Sequence, residues 1–306
     1  MFNFVQRRRL YFTISLVVIG LGLVAMVVSM IQTGSPFQIG VDFQSGTRFE
    51  VQFTEEVSED EIRNVYNEFG VSNPSVTSLQ GENLENAWQI RTESLSTEEV
   101  DAIQAALAEE VAPLDPDALR VESVSASVAA EVTRAAFVAV IVSAVIVLVY
   151  IMFAFRQVPH PFRYGASAVV AMLHDITIIF GFISITGLLF GWEVDALFLT
   201  AALTVAGFSL QDTIVVFDRI RENTGKHPLE DFETLVNRSV LETIHRSLAT
   251  QLNAMFVLVA ILLFGGASIK HFIAVLLVGL LSGTYSSICN AVPLLVTWEK
   301  RAAEAA

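Results

Sequence analysis

Residues 10–31 read LYFTISLVVIGLGLVAMVVSMI, 22 consecutive positions without a charge. A bilayer hydrocarbon core is roughly 30 Å thick and takes about 20 mostly apolar helical residues to cross, so this stretch can span one. A secretory signal has a shorter apolar core, roughly 7–15 residues, and an uncleaved anchor is therefore the expected reading of Leu10 to Ile31 behind Arg7, Arg8 and Arg9. Downstream, Ala135 to Phe155, Ser247 to Ile269 and Phe272 to Trp298 are also charge-free. Tyr164 to Trp192 and Ala196 to Phe217 are each broken by one acid, Asp175 and Asp212, which brings the expected spans to six. Composition agrees: the chain is 53% hydrophobic and 16% charged with a mean hydropathy of +0.58, unlike an ordinary soluble domain.

Orientation follows from Lys and Arg in short loops. With both termini inside, 12 of the 18 basic residues are cytoplasmic, among them Arg156, Arg163, Arg219, Arg221, Lys226, Arg238, Arg246, Lys300 and Arg301. The net charge of -14 is concentrated elsewhere, because Gln32 to Arg134 holds 20 acidic residues against five arginines. That acidic segment is expected outside, and no nucleic-acid partner is implied. The single cysteine, Cys289, falls in the last span, so the outer segment folds without disulfides. Five histidines without metal-ligand spacing make a metal site an unexpected feature.

Between Arg48 and Ser125 the periodicity changes. Phe49, Val51 and Phe53 alternate with Glu50 and Gln52, the period-2 pattern of a half-buried strand. Ser58 with Glu61, and Ser96 with Glu99, are capping boxes; behind them Ile62, Val65, Tyr66 and Phe69, then Val100, Ile103, Leu107 and Val111, have helical spacing. Strands are expected at Val76 to Leu79, Trp88 to Thr92 and Leu119 to Val124, the first two joined by the turn-rich Gly81 to Asn86. The order β-α-β-β-α-β is that of a split βαβ, ferredoxin-like domain. The expected fold class is thus a membrane all-α six-helix bundle with an inserted α+β ferredoxin-like external domain. Its expected divisions are 1–34 for the N-terminus and first span, 35–130 for the external domain, and 131–306 for spans two to six.

Two segments go further. Gly40-Val41-Asp42-Phe43-Gln44-Ser45-Gly46-Thr47 resembles the G-x-D-F-x-G-G-T signature of the SecD/SecF family of protein-export subunits, with Ser45 in place of the first glycine of the pair. Ser209-Leu210-Gln211-Asp212-Thr213-Ile214-Val215-Val216-Phe217-Asp218-Arg219-Ile220-Arg221-Glu222-Asn223 is similar to the end of that family's fourth transmembrane helix, with Gln211 where asparagine is common. Leu173-His174-Asp175 and His245-Arg246-Ser247-Leu248 follow the same order. The resemblance implies half of a resistance-nodulation-division transporter in the bacterial inner membrane, with a SecD subunit supplying the other half. It further implies work beside the SecYEG channel, with SecA and YajC as associates, on a translocating polypeptide, driven by the proton-motive force. No cofactor is implied beyond transported protons, with sodium ions as the alternative, and no catalytic residue or bond chemistry.

A carboxylate inside a spanning helix is costly and usually functional, which singles out Asp212. Six residues separate it from Asp218, which at 1.5 Å per residue is expected to place it about 9 Å inside the cytoplasmic end of its helix. Arg246 is the expected intermittent counter-ion by the resemblance, and Asp175, with Ala168 and Ala171 on its face, is a second proton site or a structural hydrogen-bonding group. A supporting polar face is expected from Ser209, from Thr250 and Asn253 behind Arg246, and from Ser282, Ser286 and Asn290, the last three beside Gly279 and Gly283 at small-xxx-small spacing. For these serines and asparagines, packing glue is the simpler reading. His174, about 100° around the helix from Asp175, is read as packing. Asp218, Arg219, Arg221 and Glu222 read as a solvated helix end, and Lys226 to Arg238 as a short amphipathic connector. Gly40, Asp42, Phe43, Gly46 and Thr47 lack the Gly-Lys-Ser/Thr ending of a nucleotide-binding loop.

A proton-coupled exporter of small molecules or lipids and a non-energised scaffold stabilising the channel are the competing functions. Exporters of this architecture carry two halves in one long chain, and a scaffold would tolerate a neutral isostere at Asp212. In a Cys289→Ser background, a cysteine at Ser96 is expected to react with an impermeant thiol reagent added outside intact cells, and one at Thr224 to be protected. The opposite pattern would overturn the orientation.

Overall fold

The computed structural model describes residues 3–71, 74–79, 85–116 and 118–305. In chain order the elements are α1 (Arg8–Thr33), β1 (Gln38–Ile39), α2 (Val41–Gln44), β2 (Gly46–Gln52), α3 (Glu59–Glu68), β3 (Ser75–Ser78), β4 (Ala87–Thr92), α4 (Thr97–Ala106), β5 (Arg120–Val124), α5 (Ala126–Ala154), α6 (Pro161–Phe190), β6 (Glu193–Val194), α7 (Ala196–Lys226), α8 (Phe232–Phe264), α9 (Ala267–Ser286) and α10 (Val292–Ala305). They form two compact units, one of Met1–Phe37, Val138–Ile185 and Leu197–Ala306, the other of Gln38–Phe137 and Thr186–Ala196. The second unit therefore differs from the expected 35–130: it reaches Phe137 and takes in the loop between α6 and α7.

Among the described residues six helical segments are long and apolar enough to cross a membrane, the last running from α9 through a π-helical turn, Ser287–Ala291, into α10. Their bounds correct the sequence reading in three places. The second helix starts at Ala126, nine residues before the charge-free run, because Glu131 and Arg134 sit on its exposed or half-exposed first turns. The fifth ends at Phe264, where Gly265 and Gly266 break it, and the sixth starts at Ala267. The expected connector at Lys226 to Arg238 is largely the start of α8, whose cap, Asp231, accepts from Thr234 N–H.

Close approach in the helical unit depends on glycine. A Cβ on Gly22 of α1 would lie 2.9 Å from Gly181 Cα of α6, and one on Gly279 or Gly283 of α9 would press on Val205 or Ser209 of α7. Small residues let backbones approach this closely where lipid offers no hydrophobic drive for association. Large parts of α1, α5 and α8 expose apolar side chains such as Leu16, Phe137 and Phe256.

In the α/β unit the sheet order is β3-β4-β2-β5, all neighbours antiparallel. Alternation in β2 puts Phe49 and Val51 on one face, where they meet Ile62, Val65 and Tyr66 of α3 and Val100 and Ile103 of α4 in one apolar cluster. Both capping boxes are formed: Ser58 and Ser96 each accept from the backbone N–H three residues on, while Glu61 and Glu99 reach back. These bonds hold both glutamate carboxyls below the ordinary range. Part of the expected turn at Gly81 to Asn86 lies outside the described residues.

The other face of this sheet is polar, and the α6–α7 loop lies against it. β6 pairs parallel with β1, Gln38 opposite Glu193, and Gly40 N–H donates to Val194 O at 2.8 Å. Between α2 and β2 the chain turns at Ser45 with φ 66° and ψ 164°, a region essentially restricted to glycine. Gly46 follows at φ 127°, where a Cβ would lie 2.5 Å from Thr92 O.

The strain at Ser45 generates a test. A residue held there costs about 1–3 kcal/mol, more than the roughly 0.5–1 kcal/mol of chain entropy that a glycine adds to the unfolded state. Ser45→Gly is expected to raise the melting temperature of the purified chain; an unchanged or lower value would show that the turn is not strained.

Candidate functional site

Asp175 is fully buried, and its carboxylate meets groups from three helices. Ser209 Oγ of α7 donates to Oδ2 at 2.5 Å and Ser286 Oγ of α9 at 2.6 Å. Ser282 Oγ of α9 donates to Oδ1 at 2.5 Å, and His174 Nδ1 lies 3.0 Å from Oδ1. A carboxylate has about four acceptor positions, and these four groups fill them. The bond to Oδ1 puts the proton of a neutral His174 on Nδ1, which leaves Nε2 to accept from Ser15 Oγ of α1 at 3.0 Å. Asn290 Nδ2 in turn donates to Ser15 Oγ at 2.8 Å. The reading of His174 as packing is corrected: the imidazole bridges from α6 to α1.

Asp212 is buried too, but less well supplied. Its hydrogen bond comes from Gln251 Nε2 of α8, 2.8 Å from Oδ2. α7 continues to Lys226, so the 9 Å measured from Asp218 is the distance to the first charge and not to the helix end. No ion pair with Arg246 is present: Arg246, Thr250 and Asn253 form an exposed stripe of α8, Thr250 bonding back to Arg246 O at 3.0 Å. The buried stripe is Thr243, Ser247 and Gln251. Both stripes have helical spacing, so periodicity could not choose between them; packing of α8 on α9 does.

The expected polar face thus divides. Ser209, Ser282 and Ser286 gather on Asp175 rather than on Asp212, and Asn290 is turned to α1. The π-helical turn accounts for the last point, since its extra residue shifts the phase of Asn290 relative to Ser282 and Ser286. Sequence reasoning missed Ser15, Gln251 and Ser247; spans with so few polar positions offered these as a signal.

The glycine-containing segment forms a joint inside the α/β unit. Asp42 Oδ2 accepts from Ala196 N–H at the start of α7 (2.9 Å), and Phe43 O accepts from Thr133 Oγ1 (3.2 Å). Thr47 Oγ1 accepts from Leu95 N–H and lies 2.9 Å from Ser123 Oγ. Gly40 has Val194 O and Asp195 against it, where a Cβ would be crowded at 3.1–3.2 Å. Beside this joint, Glu193 is buried on the polar sheet face between two arginines paired across β2 and β4. Arg48 Nη1 lies 3.4 Å and Arg91 Nε 3.2 Å from its carboxylate, and Gln89 Nε2 donates to it. Burial pushes the Glu193 carboxyl above its ordinary range, with both arginines acting against the shift.

Six membrane-length helices enclosing buried carboxylates, and one α/β unit, define a multi-pass membrane protein with an intramembrane polar site. The family described as protein export membrane protein SecD/SecF, C-terminal, matches residues 103–301. The chain is 41% identical to the protein translocase subunit SecF of Anaerolinea thermophila over 98% of its own length and 94% of that protein, and 39% identical to the SecF of Thermobaculum terrenum over 98% and 95%. It is similar in fold to SecDF of Thermus thermophilus, described as a translocon-associated membrane protein, with a TM-score of 0.81 and 28% identity over 98% of this chain and 39% of that longer one. The chain belongs to the SecD/SecF family, and protein transport is its sphere of action.

The Glu193 cluster generates a prediction. Removing one partner of a buried ion pair costs about 3–5 kcal/mol, so Glu193→Ala is expected to lower the melting temperature sharply and Glu193→Gln less. Because the folded-state value is raised, the folded protein holds this proton more tightly than the unfolded chain. The group's contribution is then largest at low pH and falls as pH rises from about 4.3, the unfolded value, through the raised folded one. The wild-type advantage over Glu193→Gln should be larger at about pH 4.5 than at about pH 7; the reverse order would contradict the assignment.

Proposed function

We propose that this chain is the SecF-type subunit of a SecDF complex that uses the proton-motive force to assist polypeptide translocation through the SecYEG channel. It sits in the inner membrane with both termini cytoplasmic, and the α/β unit, a ferredoxin-like split βαβ domain, lies outside. SecD supplies the second six-helix half, YajC associates with the pair, and SecA acts at the same channel from the cytoplasm.

The observation that carries this reading is the contrast between two intramembrane carboxylates. Asp175 has every acceptor position filled by donors fixed on three helices, an arrangement suited to holding those helices together. Asp212 is buried as well yet has one neutral donor among the described residues, so a proton can come and go there without dismantling the bundle. Arg246 lies about 140° around α8 from Gln251 at 100° per residue. In this reading Arg246 is the intermittent counter-ion, and rotation or displacement of α8 exchanges it with Gln251. A charged group arriving beside a carboxylate changes which protonation state is favoured, which would link proton uptake to helix movement.

Export of a reporter protein into inverted vesicles with ATP and SecA, with and without a proton gradient, tests this. Asp212→Asn keeps size and hydrogen bonding but cannot ionise, and it is expected to insert and bind SecD normally while losing the gradient-dependent stimulation. Arg246→Met is expected to share the defect. Full stimulation in Asp212→Asn would make the carboxylate structural, and a sodium gradient substituting for the proton gradient would assign the other ion.

A further inference from the structure

Two buried polar atoms on the α8 wall facing Asp212 have no hydrogen-bond partner: Gln251 Oε1 and, one turn earlier on the same stripe, Ser247 Oγ. Both residues are at least nine-tenths buried. Leaving such an atom unpaired costs about 1–3 kcal/mol, and an apolar residue of similar volume at 251 would avoid that cost. Gln251 Nε2 meanwhile is committed to Asp212 Oδ2 at 2.8 Å. The amide therefore presents its donor to the carboxylate and keeps an idle acceptor on the same sp2 carbon.

We propose that Gln251 is a positioning residue that keeps Asp212 hydrogen-bonded in both of its protonation states by turning its amide over. With the carboxylate ionised, Nε2–H donates to Oδ2, the arrangement observed. With the carboxyl protonated, its O–H donates to Gln251 Oε1 after rotation about the last side-chain bond, a broad two-fold torsion. An amide offers both a donor and an acceptor from one planar group, which neither a lysine nor a carboxylate provides. Among the described residues no charged group is paired with Asp212: Arg246 and His245 lie exposed on α8, Asp218 is exposed on α7, and Asp175 and His174 of α6 are engaged with their own partners. The assignment rests on the reading of Asp212 as the group that gains and loses the proton, and it adds the residue that keeps both states hydrogen-bonded inside the bundle.

The test is infrared difference spectroscopy between acidic and neutral pH on the full chain with SecD in lipid vesicles, where the carbonyl band of protonated Asp212 is the one removed by Asp212→Asn. In Gln251→Met, which keeps the volume and removes both amide groups, that band is expected to move to higher wavenumber. Gradient-driven export is expected to fall about tenfold, the scale of one lost hydrogen bond to a charged group. If the methionine variant does not fold, Gln251→Glu serves, because a second carboxyl there must also displace the Asp212 band. A band unmoved in the folded variant overturns the proposal, as does the lack of any wild-type band that Asp212→Asn removes. A band that moves in Gln251→Met while Asp212→Asn retains full gradient stimulation leaves the pairing standing and overturns the coupling reading instead.

Discussion

The helical unit is organised around one buried carboxylate. Moving a carboxylate-sized ion out of water into a low-dielectric interior costs several kcal/mol even after relaxation, and hydrocarbon offers no compensating hydrogen bonds. Asp175 is compatible with its position only if donors surround it, and those donors come from α6, α7 and α9. Each must arrive within about 3 Å, which in turn demands that α9 lie close against α7. Gly279 and Gly283 permit that approach, since a side chain at either would strike Val205 or Ser209. His174 extends the same demand to α1 through Ser15, and Gly22 against Gly181 meets it there. Polar residues and glycines are two parts of one solution.

The α/β unit solves the same problem with charge instead of hydroxyls. Glu193 is buried on a sheet face that alternation alone assigns to solvent, and it is accommodated by Arg48 and Arg91, which would otherwise repel each other across β2 and β4. The joint of Gly40, Asp42, Ser45 and Gly46 places the β1 edge where β6 can pair with it, so the loop linking α6 to α7 is built into this unit by backbone and side-chain bonds. Those two helices carry Asp175 and Asp212, and they are continuous with that loop in the chain.

Much of this was legible in the sequence, and the limits have physical causes. Length and charge sufficed for six spans, and the two capping boxes located α3 and α4 because each box is a local interaction between residues three apart. The two intramembrane acids stood out by their cost. Partners did not, because a partner across helices depends on rotation about the helix axis, which spacing leaves undetermined. On α8 the stripes Arg246–Thr250–Asn253 and Thr243–Ser247–Gln251 are equally periodic, and only packing turned the second inward. The π-helical turn was invisible for a similar reason: it adds no residue type, only a shift of phase that separates Asn290 from Ser282 and Ser286. Glu193 was hidden in a short loop whose burial depends on strands more than a hundred residues away.

The two acids of the bundle occupy opposite ends of a single scale. A carboxylate with all acceptor positions filled is held in one place by several helices at once, and moving any of them breaks a bond that the bilayer cannot replace. A carboxylate with one neutral partner ties down only that partner. A device that must change protonation without coming apart needs both kinds, a saturated group to keep the helices in register and an undersupplied one to respond. They also need to be on different helices, so that a change at one does not loosen the other. In the proton-coupled reading proposed above, Asp175 on α6 is the first kind and Asp212 on α7 the second, with Ser209 as the contact through which α7 is kept on the fixed side. Ser209 and Asp212 lie three residues apart on α7, close enough that the fixed contact sets where the Asp212 carboxylate sits, while its hydrogen bond comes from α8.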